Sequence, residues 1–156
     1  MAKSHRDSAR VIAPPPLIYL GFLALGLALH RFWPAGFLPE IARLPFGAVL
    51  IASGLVLAGL GFRELRRVGT NIAPHLPSTA LATGGVYGYT RNPLYVALTL
   101  FYLGIAAGTN DLWQLLLLAP LLVVMRHGVI GREERYLEAK FGDAYRQYKQ
   151  RVRRWV

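Results

Sequence analysis

Four apolar runs without a charged residue constrain this chain more than any other feature. They cover residues 13–29, 44–62, 93–110 and 112–125 of 156. A helix rises 1.5 Å per residue, so about 20 residues cross the roughly 30 Å core of a bilayer. The second run nearly reaches that length, the first and fourth reach it with adjoining residues, and the third is slightly short. The pattern predicts an all-α polytopic membrane protein, a single domain over 1–156, with four transmembrane helices at about residues 13–33, 44–62, 93–110 and 112–130.

Composition favours the membrane over a soluble helical fold. Hydrophobic residues make up 54% of the chain, which leaves little polar sequence to cover four buried helices. The positive leader before the first run is also typical of a signal peptide, but no small-residue cleavage site follows, so we expect a retained helix. The sequence has no cysteine, which excludes a disulfide framework, a thiolate metal site and a cysteine nucleophile.

The basic residues lie outside the apolar runs, which indicates a membrane surface and not nucleic acid as the partner. Lysine and arginine total 18 against 8 acidic residues. If the amino terminus is cytoplasmic, four spans place all of these cations except Arg31 and Arg43 on the cytoplasmic side. We therefore expect an integral membrane protein with both termini in the cytoplasm.

Two cytoplasmic segments flank the last two predicted helices. Residues 63–92 form a long connection rich in Gly, Pro, Thr and Asn, and such connections are usually functional or disordered; their apolar residues argue against disorder. Residues 131–156 predict an amphipathic helical tail, broken at Gly142, with Asp143 as a new N-cap. Its apolar stripe consists of Leu137, Phe141, Tyr145, Tyr148, Val152 and Trp155. One interpretation places this stripe on anionic lipid.

An arginine stands where the third apolar run begins. Asn92 and Pro93 are typical of a helix start, because Asn caps free amides and Pro lacks the amide hydrogen that the first helical position leaves unused. Helix amino termini bind anions, since their free N–H groups and the helix dipole both favour negative charge. Arg91 beside that terminus, with Tyr87 and Tyr95 nearby, predicts a site for a carboxylate or phosphate.

A second group of ionisable residues follows the fourth run. Arg126 and Glu133 are seven residues apart, as are His127 and Glu134, so each pair is expected to share a helix face. Ionisable groups at membrane depth are costly and usually face a cavity or a partner, and the glutamates are the natural partners. His75 has no matching second histidine with a carboxylate at ligand spacing, so no metal site is expected.

Two motifs in the second half of the chain carry a resemblance to known proteins. Residues 68–98 contain Gly85-x-Tyr87-x-x-x-Arg91-Asn92-Pro93-x-Tyr95, and residues 129–156 contain Glu133-Glu134, Phe141-Gly142 and Tyr145-x-x-Tyr148. In these motifs and their order the sequence resembles the isoprenylcysteine carboxyl methyltransferase and phospholipid methyltransferase families, specifically their short bacterial members. Position 92 is Asn, where the eukaryotic prenyl-cysteine enzymes have His.

The resemblance implies a membrane enzyme, of a bacterial cytoplasmic membrane, that binds S-adenosyl-L-methionine at the cytoplasmic face and methylates a lipophilic acceptor. The implied cofactor contacts are Gly85, Tyr87, Arg91, Asn92, Pro93, Tyr95, Glu133 and Glu134. Arg91 would hold the cofactor carboxylate, either glutamate would accept from the ribose or the amino group, and the tyrosine rings would face the adenine or the sulfonium.

The implied catalytic residues are Arg91, Glu133 and His127. An amine or thiol acceptor needs a general base, for which His127 or a glutamate is available, whereas a carboxylate acceptor needs none.

Two other functions stay open. A membrane reductase of the sterol-reductase type has a related architecture, but the sequence offers no extra arginines for the 2′-phosphate of a nicotinamide cofactor, and the chain is short for it. A non-catalytic ligand-binding or scaffold membrane protein would keep the pocket without turnover.

Overall fold

The computed structural model describes residues 8–71 and 76–155, and the regular elements within them are helical. Six α-helices follow one another: α1 Pro15–Phe32, α2 Glu40–Arg67, α3 Pro93–Thr109, α4 Leu112–Val124, α5 Gly131–Phe141 and α6 Asp143–Arg151. A 3-10 turn, Gly85–Gly88, precedes α3, and a π-helical segment, Met125–Ile130, joins α4 to α5. The stretch Leu112–Phe141 is therefore one continuous rod. The predicted all-α class is confirmed.

In the described part of the chain, three helical stretches are long and apolar enough to cross a membrane. They are Pro15–Phe32, Glu40–Arg67 and Leu112–Phe141. Large apolar side chains are exposed on their outer surfaces, among them Leu17, Leu20, Val49, Leu55 and Val123. Apolar surface of this extent suits helices that face lipid. α3 is apolar but has only 17 residues, so a fourth crossing stays a prediction.

α2 is longer than its apolar run at both ends. It begins at Glu40 and ends at Arg67, where the sequence predicts a helix over 44–62. Glu40 and Arg43 form an ion pair of 2.6 Å in the first turn, and Glu64 pairs with Arg67 at 2.8 Å in the last. Such pairs three residues apart stabilise a helix. The helix therefore continues through the charged residues on either side of the apolar run.

α2 and α3 pack antiparallel through glycines seven residues apart, Gly47, Gly54 and Gly61. A Cβ added at Gly47 would lie 2.7 Å from the carbonyl oxygen of Gly104, and one added at Gly61 would lie 2.8 Å from the Leu94 side chain. Small residues of this kind let membrane helices approach backbone to backbone. The end of α2 therefore lies beside the start of α3.

α1 packs against α4 and α3 through a core of apolar and tyrosine side chains. Tyr19 on α1 shares a hydrogen bond of 2.8 Å with Thr99 on α3. Gln114, at the start of α4, is fully buried and donates to the carbonyl oxygen of Leu23 at 2.8 Å. Met125 of the π segment is fully buried in the same core, so the wide helical turn is part of the packed interior.

The tail folds back onto the rest of the molecule. α5 and α6 separate at Gly142, whose φ of +54° suits glycine. Gly142 is itself the N-cap of α6, and Asp143 lies inside the first turn, so the cap predicted at Asp143 is wrong. Tyr145 and Tyr148 are 2% and 3% exposed and pack with Leu137. The tail's apolar stripe faces protein at these residues, and not lipid.

Candidate active site

A cavity of about 420 Å³ opens beside the amino-terminal end of α3. Its walls come from the start of α1, the second half of α2, the first half of α3, the connection between α2 and α3, and the two tail helices α5 and α6. Small-molecule and cofactor sites have volumes of roughly 300–1,000 Å³. The antiparallel packing of α2 on α3 brings their connection to one side of this space, where it meets the tail.

Three charged side chains meet at the polar end of the cavity. Glu134 on α5 accepts two hydrogen bonds from the guanidinium of Arg154, from Nε at 3.0 Å and from Nη2 at 2.6 Å. Arg91 also approaches this carboxylate, with Nη1 3.2 Å from Oε1. The side chains of Arg91 and Glu134 are 9% and 10% exposed. The hydrogen bonds to Glu134 raise the pKa of Arg154 above its usual value, so Arg154 stays cationic.

The guanidinium of Arg91 is only partly satisfied. Its 3.2 Å contact with Glu134 is within ion-pair range but has no hydrogen-bond geometry, and its buried Nε and Nη1 have no hydrogen-bond partner among residues 8–71 and 76–155. A buried donor without a partner costs about 1–3 kcal/mol, and more when it is charged. Arg91 also lines the cavity, so its guanidinium is the cationic group there that suits an anionic ligand.

Glu133 is the second carboxylate of the cavity, and its partner is a tyrosine. The hydroxyl of Tyr95 donates to Oε2 of Glu133 at 2.7 Å. Within the described residues, no lysine or arginine forms an ion pair with Glu133, in contrast to Glu134. Glu133 is therefore placed to accept from a ligand's hydroxyl or amino group, or to take a proton.

Three buried tyrosines from the connection and the tail complete the polar end. Burial raises the pKa of Tyr145 to about 12; Glu134 adds to this rise and Arg91 opposes it. Burial also raises the pKa of Tyr87 and of Tyr148. The hydroxyl of Tyr148 donates to the carbonyl oxygen of Tyr87 at 2.7 Å. All three rings are neutral near pH 7 and contribute ring faces and hydroxyl groups.

Away from these groups the lining is mostly apolar, although Thr70, Asn71 and Ser78 of the connection also line the cavity. Leu98 and Phe101 line it on α3, and Ala58 and Phe62 line it on α2. From Pro93 to Phe101 the helix rises about 12 Å at 1.5 Å per residue. The cavity therefore joins a polar end to an apolar arm that extends between the helices.

Seven of the nine predicted site residues lie on this cavity. They are Tyr87, Arg91, Asn92, Pro93, Tyr95, Glu133 and Glu134. Gly85 does not line it. Gly85 begins the 3-10 turn with a φ of +55°, and a Cβ there would lie 3.3 Å from the Glu64 carboxylate, so its place in the structure is explained by the backbone turn and the close approach to α2.

Asn92 occupies the N-cap position of α3, but its side chain makes no capping hydrogen bond, so the cap predicted there is wrong. Its Nδ2 donates to the carbonyl oxygen of Arg154 at 2.8 Å. The backbone N–H of Arg91 donates to the carbonyl oxygen of Arg153 at 2.9 Å. Residues 152–155, which we call the strap, thus lie against the start of α3. Because the Asn92 side chain binds the strap, it does not cap α3.

His127 and Arg126 are exposed and do not line the cavity, so the predicted pairing of these residues with the glutamates is wrong. Glu134 pairs with Arg91 and Arg154 instead. The π segment explains the difference. One extra residue in a helical turn rotates everything after it by about 100°, so residues seven apart no longer share a face.

The sequence does not single out Arg154, Tyr145 or Tyr148 as site residues. Arg154 is one of several cations in a basic tail, and the tyrosines belong to an apolar stripe. The one available signal is that two members of that stripe carry hydroxyl groups, which a purely apolar contact does not need. The predicted absence of a metal site is not contradicted within the described residues, where no group of three or more His, Cys, Asp or Glu side chains could hold a metal ion. His75 lies outside those residues.

Comparison with known proteins places the chain in a family. Residues 42–144 match the phospholipid methyltransferase family. Over 109 residues, 70% of this chain and 44% of the relative, it is 34% identical to the protein-S-isoprenylcysteine O-methyltransferase of Schizosaccharomyces pombe. Over 35 residues, 22% of this chain and 56% of the relative, it is 60% identical to an uncharacterised protein of Haemophilus influenzae.

The chain thus spans about half the length of these curated relatives. No solved structure matches it. The family match includes the first motif and the glutamate pair of the second, so the resemblance carried by these residues is confirmed. The chain belongs to the phospholipid methyltransferase family of membrane methyltransferases.

Proposed function

We propose that this chain transfers a methyl group from S-adenosyl-L-methionine to a lipophilic acceptor at the cytoplasmic face of a bacterial cytoplasmic membrane. The observation that carries the proposal is the cavity itself, which joins the cationic side chain of Arg91 to an apolar arm between α2 and α3. The excess of Lys and Arg outside the apolar runs supports cytoplasmic termini. The Schizosaccharomyces pombe relative is an O-methyltransferase, which supports the reaction class.

The residues at the polar end fit the methyl donor. Arg91 would bind its carboxylate through Nε and Nη1, which have no hydrogen-bond partner in the described part of the chain. Glu133, which has no cation partner there, would accept from its amino group or ribose. The rings of Tyr87 and Tyr95 would face its adenine or sulfonium, where a cation over a ring is stabilised by about 0.5–2 kcal/mol. When bound, the cofactor supplies an activated methyl group.

The apolar arm fits the acceptor. Its walls, with Phe62 and Phe101, can hold a hydrocarbon chain while the reactive head lies at the polar end. Methyl transfer is an in-line displacement, so much of its rate depends on holding the two partners in line and away from water. This chain's own contribution is to orient both and to exclude water.

The acid–base role depends on the acceptor. An amine or thiol must lose a proton, and Glu133 is the carboxylate that we propose takes it. The 2.7 Å hydrogen bond from Tyr95 occupies its Oε2, so Oε1 would be the oxygen that accepts the proton. His127 is exposed and does not line the cavity, so we propose Glu133 and not His127 for this role. A carboxylate acceptor needs no base.

A reductase fits the cavity less well. A 2′-phosphate requires several cations, and among the described residues Arg91 is the one cationic side chain that lines the cavity.

The proposal is tested with membranes that contain the protein and S-adenosyl-L-methionine labelled in its methyl group. We expect label in organic-extractable material for the wild type and a large loss for Arg91→Ala. Glu138→Gln, which removes an acidic charge on α5 that pairs with Lys149 away from the cavity, is the matched control and should keep the activity. Alkali then sorts the product, because an ester releases methanol whereas a methylated amine or thioether keeps its label. Label found only in water-soluble products would contradict the lipophilic acceptor.

A further inference from the structure

The strap is tied to the start of α3 by several backbone contacts. The Arg91 N–H donates to the carbonyl oxygen of Arg153 at 2.9 Å, and Thr90 pairs with Arg153 as an isolated parallel bridge. The carbonyl oxygen of Arg154 accepts from Asn92 at 2.8 Å and from the Thr90 hydroxyl at 3.2 Å. These contacts fix the backbone of residue 154 beside that of residue 91, whichever side chain stands at 154.

The side chain of Arg154 has a separate target. Its guanidinium binds Glu134 with two hydrogen bonds, 3.0 Å from Nε and 2.6 Å from Nη2, one to each carboxylate oxygen. A charged fork of this kind is stronger and more directional than a single contact. Arg91 reaches the same carboxylate with one 3.2 Å contact that lacks hydrogen-bond geometry. Two arginines thus compete for one glutamate, and Arg154 holds it.

This competition determines which donors of Arg91 remain without a partner. If Arg154 did not hold Glu134, the carboxylate would be free to form a second fork with Arg91, its neighbour at 3.2 Å. Such a fork would use the donors that are now without partners. We infer that Arg154 is a positioning residue, which holds Glu134 so that Arg91 stays available to an anionic group of the ligand.

Arg154 does not itself line the cavity, so its effect passes through Glu134. The inference rests on the proposed function only for the identity of the anionic group, the carboxylate of the methyl donor. It predicts one result that a purely structural role for Arg154 does not. In the Glu134→Gln variant there is no carboxylate for Arg154 to hold away from Arg91. Substitution of Arg154 in that variant should therefore have little effect on ligand binding.

The first test titrates S-adenosyl-L-methionine into detergent-solubilised wild type, Arg154→Gln, Glu134→Gln and the double variant. We expect Arg154→Gln to weaken affinity at least about tenfold in the wild-type background, the loss of a charge-assisted contact. In the Glu134→Gln background the same change should cost less than about threefold, since the two sites are coupled. Arg151→Gln, an exposed cation of α6, is the matched control and should stay within about twofold of wild type. An equal loss in both backgrounds, or no loss in either, overturns the inference.

The second test needs no ligand, and therefore separates this inference from the proposed function. Thermal unfolding is measured for Arg91→Gln in the wild-type and in the Arg154→Gln backgrounds. We expect the larger drop in Tm in the Arg154→Gln background, because there Glu134 has turned to Arg91. Equal drops would overturn the inference even if the wild type binds the methyl donor, whereas a wild type that does not bind it contradicts the proposed function alone.

A lysine at position 154 covers the case in which Arg154→Gln does not fold. Lysine keeps the charge but cannot form the two-pronged fork. Arg154→Lys should therefore show the same effects, reduced, in both measurements. Full wild-type behaviour of Arg154→Lys in both would mean that charge alone suffices, and would overturn the role given to the fork.

Discussion

The two ends of the helix bundle are both polar, but their polar side chains bind different things. At the hairpin end, formed by residues 33–43 and 108–114, side chains bind mostly backbone. Asn110 accepts from the N–H groups of Phe37 and Leu38 at 2.9 Å, and Trp113 donates to the carbonyl oxygen of Trp33 at 2.7 Å. At the cavity end, the side chains of Arg154, Glu134, Tyr95 and Glu133 bind one another around an open space.

This difference distinguishes residues that hold the fold together from residues that orient functional groups. A side chain that binds backbone fixes where two elements lie, and changing it is expected to affect stability first. A side chain that binds another side chain beside a cavity fixes where a functional group points. The hairpin end should therefore respond to substitution in its unfolding free energy, and the cavity end in binding and turnover.

The largest expected effect is at the hairpin end. Asn110→Ala removes three hydrogen bonds, the two it accepts and the one from Nδ2 to the carbonyl oxygen of Leu38 at 3.0 Å. It also puts alanine at a φ of +52°. We expect a loss of about 2–4 kcal/mol in the unfolding free energy, measured by thermal unfolding in detergent.

Asn110→Asp is the matched control, because it keeps the two accepted bonds and should cost less. The affinity of the folded fraction for the methyl donor should not change in either variant. A variant at Asn110 that keeps its stability but binds the donor more weakly would break the comparison between the two ends.

The next effect compares two glycines of one helix. Gly47→Ala, near the hairpin end, meets the backbone oxygen of Gly104 at 2.7 Å, which cannot move alone, whereas Gly61→Ala, near the cavity end, meets the tip of the Leu94 side chain at 2.8 Å. Overpacking costs about 1–3 kcal/mol, so we expect a loss of that size for Gly47→Ala and a smaller one for Gly61→Ala, by thermal unfolding. Gly59→Ala, whose Cβ would have nothing from the described part of the chain within 4 Å, serves as the reference. Equal losses at positions 47 and 61 would mean that a clash with backbone costs no more than a clash with a side-chain tip.

The smallest effect is the most specific. Tyr95→Phe keeps the ring but removes the hydroxyl that donates to Glu133 at 2.7 Å. We expect turnover to fall about fivefold, equivalent to about 1 kcal/mol, with little change in Tm. Tyr102→Phe, which removes a 3.1 Å bond to the carbonyl oxygen of Gln114, should keep the turnover of the folded protein. The reverse result would place the functional tyrosine at residue 102, which does not line the cavity.

The sequence predicts the parts of this molecule that local rules decide. Apolar runs predict helices, and Pro93 marks the start of α3. Arg91 draws attention because no loop or lipid-facing helix needs a guanidinium at that junction. These inferences use neighbouring residues and general physics.

The sequence does not predict the parts that depend on distant contacts. The register of Glu133 and Glu134 depends on the π segment, which no local pattern in 125–130 announces. Arg154 is 20 residues from Glu134, and in sequence its charge looks like that of Arg151 or Arg153. Only the path of the strap across the start of α3 distinguishes Arg154 from these two arginines. The same path explains why the Asn92 side chain binds the strap and does not cap α3.

We expect the cavity end to bind the methyl donor and the hairpin end not to bind it. Calorimetric titration of S-adenosyl-L-methionine into wild type, Arg91→Ala and Arg43→Ala tests it directly, because the two arginines lie at opposite ends and are buried and partly buried, with side chains 9% and 32% exposed. We expect Arg91→Ala to weaken binding at least about tenfold, for a lost charge-assisted hydrogen bond of about 1.5–3 kcal/mol. Arg43→Ala should keep wild-type affinity while lowering Tm. Unchanged affinity in Arg91→Ala, or an equal loss in both variants, would contradict the claim.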